Sequence, residues 1–353
     1  MALTQVQSGI LADSTQTYGM KNRIINGDMR IAQRATSSAS AGGNGGVYST
    51  VDRFGLYLNS TAVVSEAQVT DAPTGFTNSV KYTVTTADTS VAAGDYILPL
   101  HRIEGNNIAD LAWGTVNAKT VTLSFWVKSS KTGIYYAGFR NGSVNRSYAA
   151  PYTINASNTW EYKTITVPGD TTGTWTTDNS EGLGVFWWLM GGSDFNASSI
   201  STWVSVNTTK FSNQVNWADA VGATFQITGV QLEKGSTATQ FDYRQYTTEL
   251  QLCQRYYEVM TFPSGSGGIP VTLGQQFQSR KVIGPFCFKV DKRSAPSVPN
   301  ASIGIDGGDG SHTFQFFTTT SVATGYGTGT SPTIISPADA TEGAFTLFIS
   351  AEL

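Results

Sequence analysis

Side chains that commonly catalyse reactions are sparse in this sequence and stand in no recognisable motif. The only histidines, His101 and His312, fall in segments that we assign to different domains, and each is expected to be a surface or satisfied strand residue. The sequence contains no Gly-x-Ser-x-Gly, His-Glu-x-x-His or Cys-x-x-Cys. The motifs that would indicate acyl transfer or zinc chemistry are therefore missing. The glycine-rich stretch 41–46 does not lead into a lysine-bearing helix, as a phosphate cradle would require.

Glycoside hydrolysis needs two carboxylates about 5 to 10 Å apart. The acidic residues that come into question are scattered along the chain: Glu66, Asp71, Glu104, Asp110, Glu161 and Glu181. No spacing pairs any two of them, and most are expected to be solvating loop groups. We therefore expect no catalytic residues and no enzyme activity.

Tryptophan is concentrated in one part of the sequence: Trp160, Trp175, Trp187, Trp188, Trp203 and Trp217. Consecutive Trp187 and Trp188 must point to opposite faces of a strand, so at most one of them is core by default. Sugars dock on exposed aromatic rings, whereas rings of this kind also fill cores and subunit interfaces. Trp175 and Trp203 lie beside Thr- and Ser-rich residues and are the predicted ligand-binding pair.

Composition excludes several classes of protein. Of 353 residues only 13% are charged, and the formal net charge of −3 provides no basic field, so nucleic-acid binding is not expected. No run approaches the roughly 18 apolar residues of a membrane span, so no membrane insertion is expected. No signal peptide is evident. No loop repeats Asp or Asn with calcium-ligand spacing, so no metal is assigned and no cofactor is expected.

The elements that must position these residues are short strands separated by turn signals. The clearest is 120–128, where Val121, Leu123, Phe125 and Val127 alternate with polar residues and Trp126. Asn26–Arg34 is predicted as the first strand. Further strands are predicted at 52–58, 62–69, 79–85, 96–103, 134–140, 160–167, 183–189, 200–206 and 224–232. This spacing, without internal repeats or βα alternation, predicts an all-β jelly-roll sandwich.

The hydrophobic pattern changes from strand alternation to helical spacing where the predicted jelly roll ends. Thr248 and Gln251 fit a helical capping box, and Leu250, Cys253 and Tyr257 fall on one helical face. Beyond the helix we predict strands at 275–290 with a break at Pro285, and at 302–305, 312–319 and 345–350, with a loop at 322–332. The predicted organisation is an N-terminal arm 1–25, a jelly roll 26–245, a connecting helix 246–260 and a smaller C-terminal β domain 261–353.

Two cysteines remain, Cys253 on the predicted helix and Cys287 in an apolar strand. They are interpreted as two ordinary buried thiols, with a disulfide as the alternative.

Three blocks of sequence resemble phage and prophage tail-fibre-like virion proteins. They are Asn26–Arg34 with Asp52–Phe54, then Gly229–Gly235 with Phe241–Arg244 and Glu249–Tyr257, and finally Phe345–Leu353. The resemblance implies a virion protein assembled in the host cytoplasm, with a jelly roll similar to carbohydrate-binding modules. It also implies a homotrimer, for which Leu250, Cys253 and Tyr257 are the predicted interface, and contact with a host-surface glycan.

Other functions remain open at this point. A capsid decoration or cement protein would also need an arm, a rigid β body and an oligomer. A polysaccharide depolymerase is a second alternative, and a free-standing carbohydrate-binding module is a third. The arm 1–25 is either a frayed tail or an anchor that attaches to other virion proteins.

Overall fold

The computed structural model describes residues 21–262, 281–297, 301–304, 311–318, 322–328 and 345–353. The chain divides into two compact units, with the boundary between Tyr246 and Thr247. The predicted arm lies outside the described residues except for 21–25, and so does the predicted loop segment 329–332.

The first unit, here called the body, consists of antiparallel strands. Their bounds are β1 Ser37–Ser38, β2 Gly55–Asn59, β3 Val63–Val69, β4 Ser79–Thr86, β5 Tyr96–Glu104, β6 Val121–Ser129, β7 Gly133–Asn141, β8 Ser147–Ile154, β9 Glu161–Val167, β10 Glu181–Trp188, β11 Met190–Gly191, β12 Trp203–Val204 and β13 Thr224–Lys234.

These strands form a six-stranded sheet, β1-β3-β4-β13-β6-β9, and a seven-stranded sheet, β11-β5-β10-β7-β8-β12 with β2 also paired to β5. Alternate residues of both sheets belong to one apolar core, which includes Phe125 and Ile227 from the first sheet and Phe139 and Trp187 from the second. The core therefore lies between the sheets. The predicted all-β jelly-roll sandwich is confirmed.

The seven-stranded sheet is apolar on its outer face as well. A second cluster contains Leu98, Leu100, Tyr136, Phe186 and Trp188, which alternate along their strands with residues of the core. In consequence β10 is buried at nearly every position. Such continuous apolar runs are typical of strands covered on both sides.

The first described residues are fixed to the last strand of the body. The Arg23 amide donates to the Leu232 carbonyl at 2.9 Å, and the Val230 amide donates to the Gly27 carbonyl at 2.9 Å. A Cβ on Gly27 would lie 2.1 Å from the Val230 carbonyl oxygen, so only glycine permits this approach. The Arg244 guanidinium donates to the carbonyls of Asn22 and Ile24. We call this assembly of residues 21–27, Arg244 and β13 the clasp.

The predicted strand Asn26–Arg34 is wrong. Asn26 and Met29 both have φ of +59°, which no β-strand adopts. The Asn26 side chain instead donates to the carbonyls of Ile31 and Asp52 at 2.8 and 2.9 Å and folds the segment into a loop. Two blocks that carry the resemblance, around Asn26 and around Gly229, thus meet in the clasp.

Two further strand predictions differ from the structure. Strand β8 was missed because Pro151 lies within it. On one side of β8 only Ser147 and Tyr148 are paired, to β12, so the proline sits where no ladder donor is needed. The predicted strand 200–206 is reduced to Trp203–Val204.

The second unit begins with the helix. Its elements are α1 Tyr246–Gln254, β14 Tyr257–Phe262, β15 Lys281–Cys287, β16 Ala301–Gly304, β17 Ser311–Thr318, β18 Val322–Thr328 and β19 Phe345–Ser350. Strands β14 and β19 pair, and the other four form the sheet β15-β18-β17-β16.

Four predictions in this unit are corrected. The helix ends at Gln254, so Tyr257 opens a strand, and the connecting helix 246–260 was predicted too long. Thr248 lies inside the helix and does not cap it. Pro285 does not break β15, because β15 is an edge strand that tolerates a missing donor. Residues Val322–Thr328 form a strand where a loop was expected.

Candidate functional site

An open cleft of about 400 Å³ lies on the outer face of the seven-stranded sheet. Its lining combines aromatic rings with neutral polar groups and one arginine: Asn44, Tyr57, Tyr96, Leu98, Arg140, Val144, Phe186, Trp188, Phe195, Asn207 and Thr209. The floor comes from β2, β5, β7 and β10. The rim comes from the loops around residues 44, 144, 195 and 207.

Strand alternation places the floor residues. Tyr96 and Leu98 lie two positions apart on β5, and Phe186 and Trp188 lie two apart on β10, so each pair faces the same side. Tyr57 stands opposite Leu98 in the β2–β5 ladder. The aromatic side chains therefore converge on one face although the sequence separates them widely.

The rings form a connected series along the cleft. The centroids of Tyr57 and Tyr96 are 6.2 Å apart, those of Tyr96 and Phe195 5.4 Å, and those of Trp188 and Phe195 5.3 Å. Tyr57, Tyr96 and Phe195 are half-buried, whereas Trp188 is only 3% exposed. Three rings are thus partly accessible, and the buried Trp188 packs against Phe195.

The rim is held close to the floor by a small residue. The indole Nε1 of Trp188 donates to Thr209 Oγ1 at 2.7 Å. A Cβ on Gly138, beneath this contact, would lie 2.6 Å from the Thr209 Cβ. Glycine at this position lets the loop carrying Thr209 approach the sheet.

Charged side chains lie at one end of the cleft. The Arg140 guanidinium stacks over Phe186 at 4.8 Å from the ring centroid. Its Nη2 is 4.0 Å from Glu181 Oε1, and its Nη1 is 3.4 Å from Asn207 Oδ1. On the far side of Glu181, Arg102 places its Nε 3.2 Å from Oε2 and stacks over Tyr57.

A second cation lies behind the opposite end. Lys210, beside Thr209, is 3% exposed, and its Nζ donates to Asn196 Oδ1 at 2.5 Å. Burial lowers the pKa of Lys210 to about 8.

The residues predicted to bind ligand lie elsewhere. Trp175 and Trp203 pack with Trp113, with centroid distances of 4.7 Å for 113–175, 5.3 Å for 113–203 and 5.4 Å for 175–203. We call these three residues the tryptophan cluster. Trp175 is 9% exposed, so its predicted exposure is wrong, and Trp203 is half-buried. Their assignment to ligand binding stays a prediction.

A buried ion pair lies against the tryptophan cluster. Arg146 donates through Nε and Nη2 to the two carboxylate oxygens of Asp170, each at 2.7 Å, and through Nη1 to Ser205 Oγ at 2.7 Å. Trp175 Nε1 lies 3.3 Å from Asp170 Oδ2. This polar network fixes the rings from one side.

Of the acidic residues considered for hydrolysis, none lines the cleft within the described part of the chain. Glu66 is buried in the sandwich interior, where burial raises its pKa to about 7. Burial also acts on Glu161, but hydrogen bonds from Lys163 and the amides of Ala156 and Asn155 prevail and hold its pKa at about 2. Asp71 pairs with Lys128, and Asp110 with Arg23.

His101 is a core residue. It is fully buried, its Nε2 accepts from the Ile25 amide at 3.2 Å, and its ring packs edge-on against Phe54. Burial lowers the pKa of His101 well below its usual value, so the imidazole is neutral. His101 is a strand residue, as expected, but its Nδ1 is buried without a hydrogen-bond partner among the described residues, so the expectation that it is satisfied is wrong. The side chain of His312 lies outside the described part.

The predicted oligomer interface is not a free surface. Cys253 and Tyr257 are 0% and 6% exposed within the single chain, and Leu250 is half-buried. The buried pair formed by Lys292 and Glu258, at 2.5 Å, lies in the same unit. No disulfide joins Cys253 and Cys287, and Cys287 is exposed, so its predicted burial is wrong.

Neither a metal site nor a membrane span is found in the described residues. No three or more His, Cys, Asp or Glu side chains there are grouped as metal ligands. No helix among them has the length and apolar character to cross a bilayer.

Sequence reasoning missed most of the cleft. The consecutive pair Trp187–Trp188 was correctly expected to split between two faces, and Trp188 marks the cleft side. The signal that could have found the site is the absence of polar alternation in β5 and β10, which indicates a second apolar layer.

No protein-family model matches this chain, and no curated protein matches it. Among solved structures it is similar to the enzymatically active domain of tailspike protein 4 of bacteriophage CBA120, at 12% identity and a TM-score of 0.31, over 61% of this chain and 22% of the other. It is also similar to a family 4 carbohydrate-binding module, at 13% identity and a TM-score of 0.33, over 60% of this chain and 99% of the module.

A third similar structure is the C-terminal family 22 carbohydrate-binding module of Clostridium thermocellum Xyn10B. It has 11% identity and a TM-score of 0.30, over 55% of this chain and 98% of the module. At such scores these likenesses carry no argument about what this chain binds.

Proposed function

We propose that this chain is a phage virion protein of the tail-fibre type whose body binds a host-surface glycan in the cleft. The observation that carries the glycan-binding half is the aromatic cleft itself, with Tyr57, Tyr96 and Phe195 accessible on its floor and rim. The three sequence blocks that resemble tail-fibre-like proteins support the virion half.

The chemistry of the lining suits a sugar. The axial C–H groups of a pyranose ring lie against aromatic faces, while its hydroxyls need polar partners at the edge. Asn44, Asn207 and Thr209 provide amide and hydroxyl groups at the rim. A cleft of about 400 Å³ lies within the range of small-ligand sites.

We propose binding without hydrolysis. Glycoside hydrolases place two carboxylates on either side of the scissile bond. Within the described residues no carboxylate lines the cleft. A depolymerase would release reducing ends from host polysaccharide, and we expect none.

The experiment is a screen of purified full-length protein against immobilised bacterial surface polysaccharides, with reducing ends measured in parallel. Tyr96→Ala is expected to lose most of the binding, because it removes a ring at the centre of the series. Tyr162→Ala is the matched control, since Tyr162 is an aromatic residue of the other sheet and 44% exposed. Equal binding by both variants and the native protein would refute the site.

Attachment and assembly form the second half of the proposal. Residues 1–25 would attach the chain to other virion proteins, and three chains would form a homotrimer in the virion. A capsid decoration protein is the alternative location. Labelling in intact particles distinguishes tail from capsid, and a monomer at micromolar concentration in sedimentation would argue against the trimer.

A further inference from the structure

We infer that the cleft selects a glycan carrying an anionic group, which Arg140 binds; the inference rests on the proposed glycan-binding function. Five of the eleven lining residues are aromatic, but the charge of the cleft is distinctive. The full chain has a formal net charge of −3, yet the one charged side chain among the lining residues is a cation.

Arg140 is held in place but incompletely paired. Its guanidinium carbon lies 4.8 Å from the centroid of the Phe186 ring. Among the described residues its contacts to Glu181 and Asn207 are 4.0 and 3.4 Å long, beyond the usual range of an N–H···O hydrogen bond, and its Nε has no partner. Its side chain is 15% exposed, at the cleft. Its Nε is enclosed by the protein, so the donors that remain for a ligand are those of Nη1 and Nη2.

Glu181 does not neutralise this end of the cleft. It lies nearer to Arg102, with 3.2 Å between Nε and Oε2, than to Arg140. Glu181 therefore acts mainly as a partner of Arg102, and its contact with Arg140 is long. The Nη atoms of Arg102 are further engaged with the Tyr57 hydroxyl and with the Gly45 and Leu353 main-chain oxygens, whereas Arg140 lines the cleft and makes only long contacts through its Nη atoms.

The parallel N–H donors of the Arg140 guanidinium determine which ligand groups it can bind. A guanidinium binds a carboxylate through two parallel hydrogen bonds, and sulfate or phosphate oxygens fit the same fork. A sugar ring stacked on the aromatic series with its acidic substituent toward Phe186 would meet Arg140. The predicted ligand class is therefore a uronic-acid glycan or a sulfated or phosphorylated one, and neutral glycans bind more weakly.

The test measures affinities of full-length protein for matched oligosaccharides by calorimetry. The probes are hexamers of galacturonate and of hyaluronan, each beside its methyl-esterified form, together with a sulfated galactan hexamer and its desulfated form. A charged hydrogen bond is worth about 1.5–3 kcal/mol, which corresponds to a preference of about tenfold to a hundredfold for the acidic member.

Three variants locate the preference. Arg140→Gln is expected to reduce the acidic ligand to the affinity of its neutral partner, and Arg140→Lys to keep part of the preference because it keeps the charge without the fork. Lys119→Gln removes one positive charge from an exposed position that does not line the cleft, and it should change nothing. Unaltered thermal unfolding confirms that the variants are folded.

The outcomes separate the inference from the proposed function. Preference only within the carboxylate pairs, or only within the sulfate pair, identifies the source of the anion and supports the inference. Equal affinity within every pair, with Tyr96→Ala weakening both members, overturns the inference and leaves glycan binding intact. Failure of every probe to bind, or indifference of binding to Tyr96→Ala, contradicts both.

Discussion

The tryptophan cluster and the cleft are both built from aromatic rings beside an arginine, and they differ in how completely each is closed. In the cluster, Trp113, Trp175 and Trp203 cover one another, and Arg146 is satisfied by both oxygens of Asp170. In the cleft Tyr57, Tyr96 and Phe195 are half-buried, and Arg140 has only long contacts among the described residues.

This difference teaches how to recognise a binding site among aromatic residues. On this comparison we place the proposed binding site in the cleft, where the contacts of the arginine are long, and assign a stabilising role to the tryptophan cluster, where the arginine is closely paired. Both regions contain aromatic rings and an arginine, so the presence of these residue types does not separate them. The partners of the polar atoms distinguish them.

The largest expected effect comes from breaking the ion pair of the tryptophan cluster. Asp170→Asn leaves the buried Arg146 without its carboxylate, and loss of one partner of a buried pair costs about 3–5 kcal/mol. Urea unfolding should show this loss, while the folded variant keeps its glycan affinity. A cost below about 1 kcal/mol would mean that the cluster is not held by this pair.

In the cleft the corresponding truncation should affect binding rather than folding. Phe195→Ala removes the ring between Tyr96 and Trp188, and truncation of an aromatic anchor typically lowers affinity by about 2 kcal/mol or more. Because Phe195 is half-buried in a rim segment, unfolding should change much less. Calorimetry on the best-binding glycan measures the first effect, and loss of stability without loss of affinity would contradict the comparison.

Lys210 should make the stability of the protein depend on pH. It is a buried cation whose partner is an amide, whereas the buried Arg146 is paired with a carboxylate. Its folded pKa of about 8 lies below the unfolded value of 10.5, so the unfolded state holds the proton more tightly. Stability should therefore rise between pH 8 and 10.5.

Lys210→Met should remove this rise and stabilise the protein at pH 7 by about 1–3 kcal/mol, since one pKa unit corresponds to about 1.4 kcal/mol. Chemical unfolding at pH 7 and pH 10.5 measures both changes. Lys119→Gln serves as the exposed control. A variant less stable than the native protein at pH 7 would show that the bond to Asn196 outweighs burial.

The smallest effect is expected from Trp203→Ala on glycan affinity. Trp203 packs on Trp113 and Trp175, and its Nε1 donates to the Pro168 carbonyl at 2.7 Å, so its truncation should lower stability and leave affinity unchanged. Calorimetry decides the matter. Loss of affinity here would return ligand binding to the tryptophan cluster, as the sequence pattern suggests.

Local pattern was enough to predict the sandwich. The alternation of Val121, Leu123, Phe125 and Val127 predicted 120–128 and the strand is observed at Val121–Ser129, because one buried face imposes a period of two. The same reasoning failed at Asn26–Arg34, where a left-handed Asn26 and its side-chain hydrogen bonds override propensity.

The cleft could not be assembled in this way. The cleft depends on the register between β2 and β5 and on the packing of the rim loops. Both bring together residues that are far apart in the sequence. Trp175 was misjudged for the same reason. Its Thr-rich neighbours suggested exposure, and nothing nearby in the sequence reveals Trp113 as its packing partner.

The clasp has a mechanical consequence. Lys21 and Asn22 donate to Asp242, and Arg244 donates back to Asn22, so the chain enters and leaves the body at one point. Tension applied to the chain before residue 21 and after Arg244 would act on these hydrogen bonds. The hydrogen bonds between strands of the two sheets would bear little of that force. We therefore expect the body to stay folded under a force that is applied at these two points.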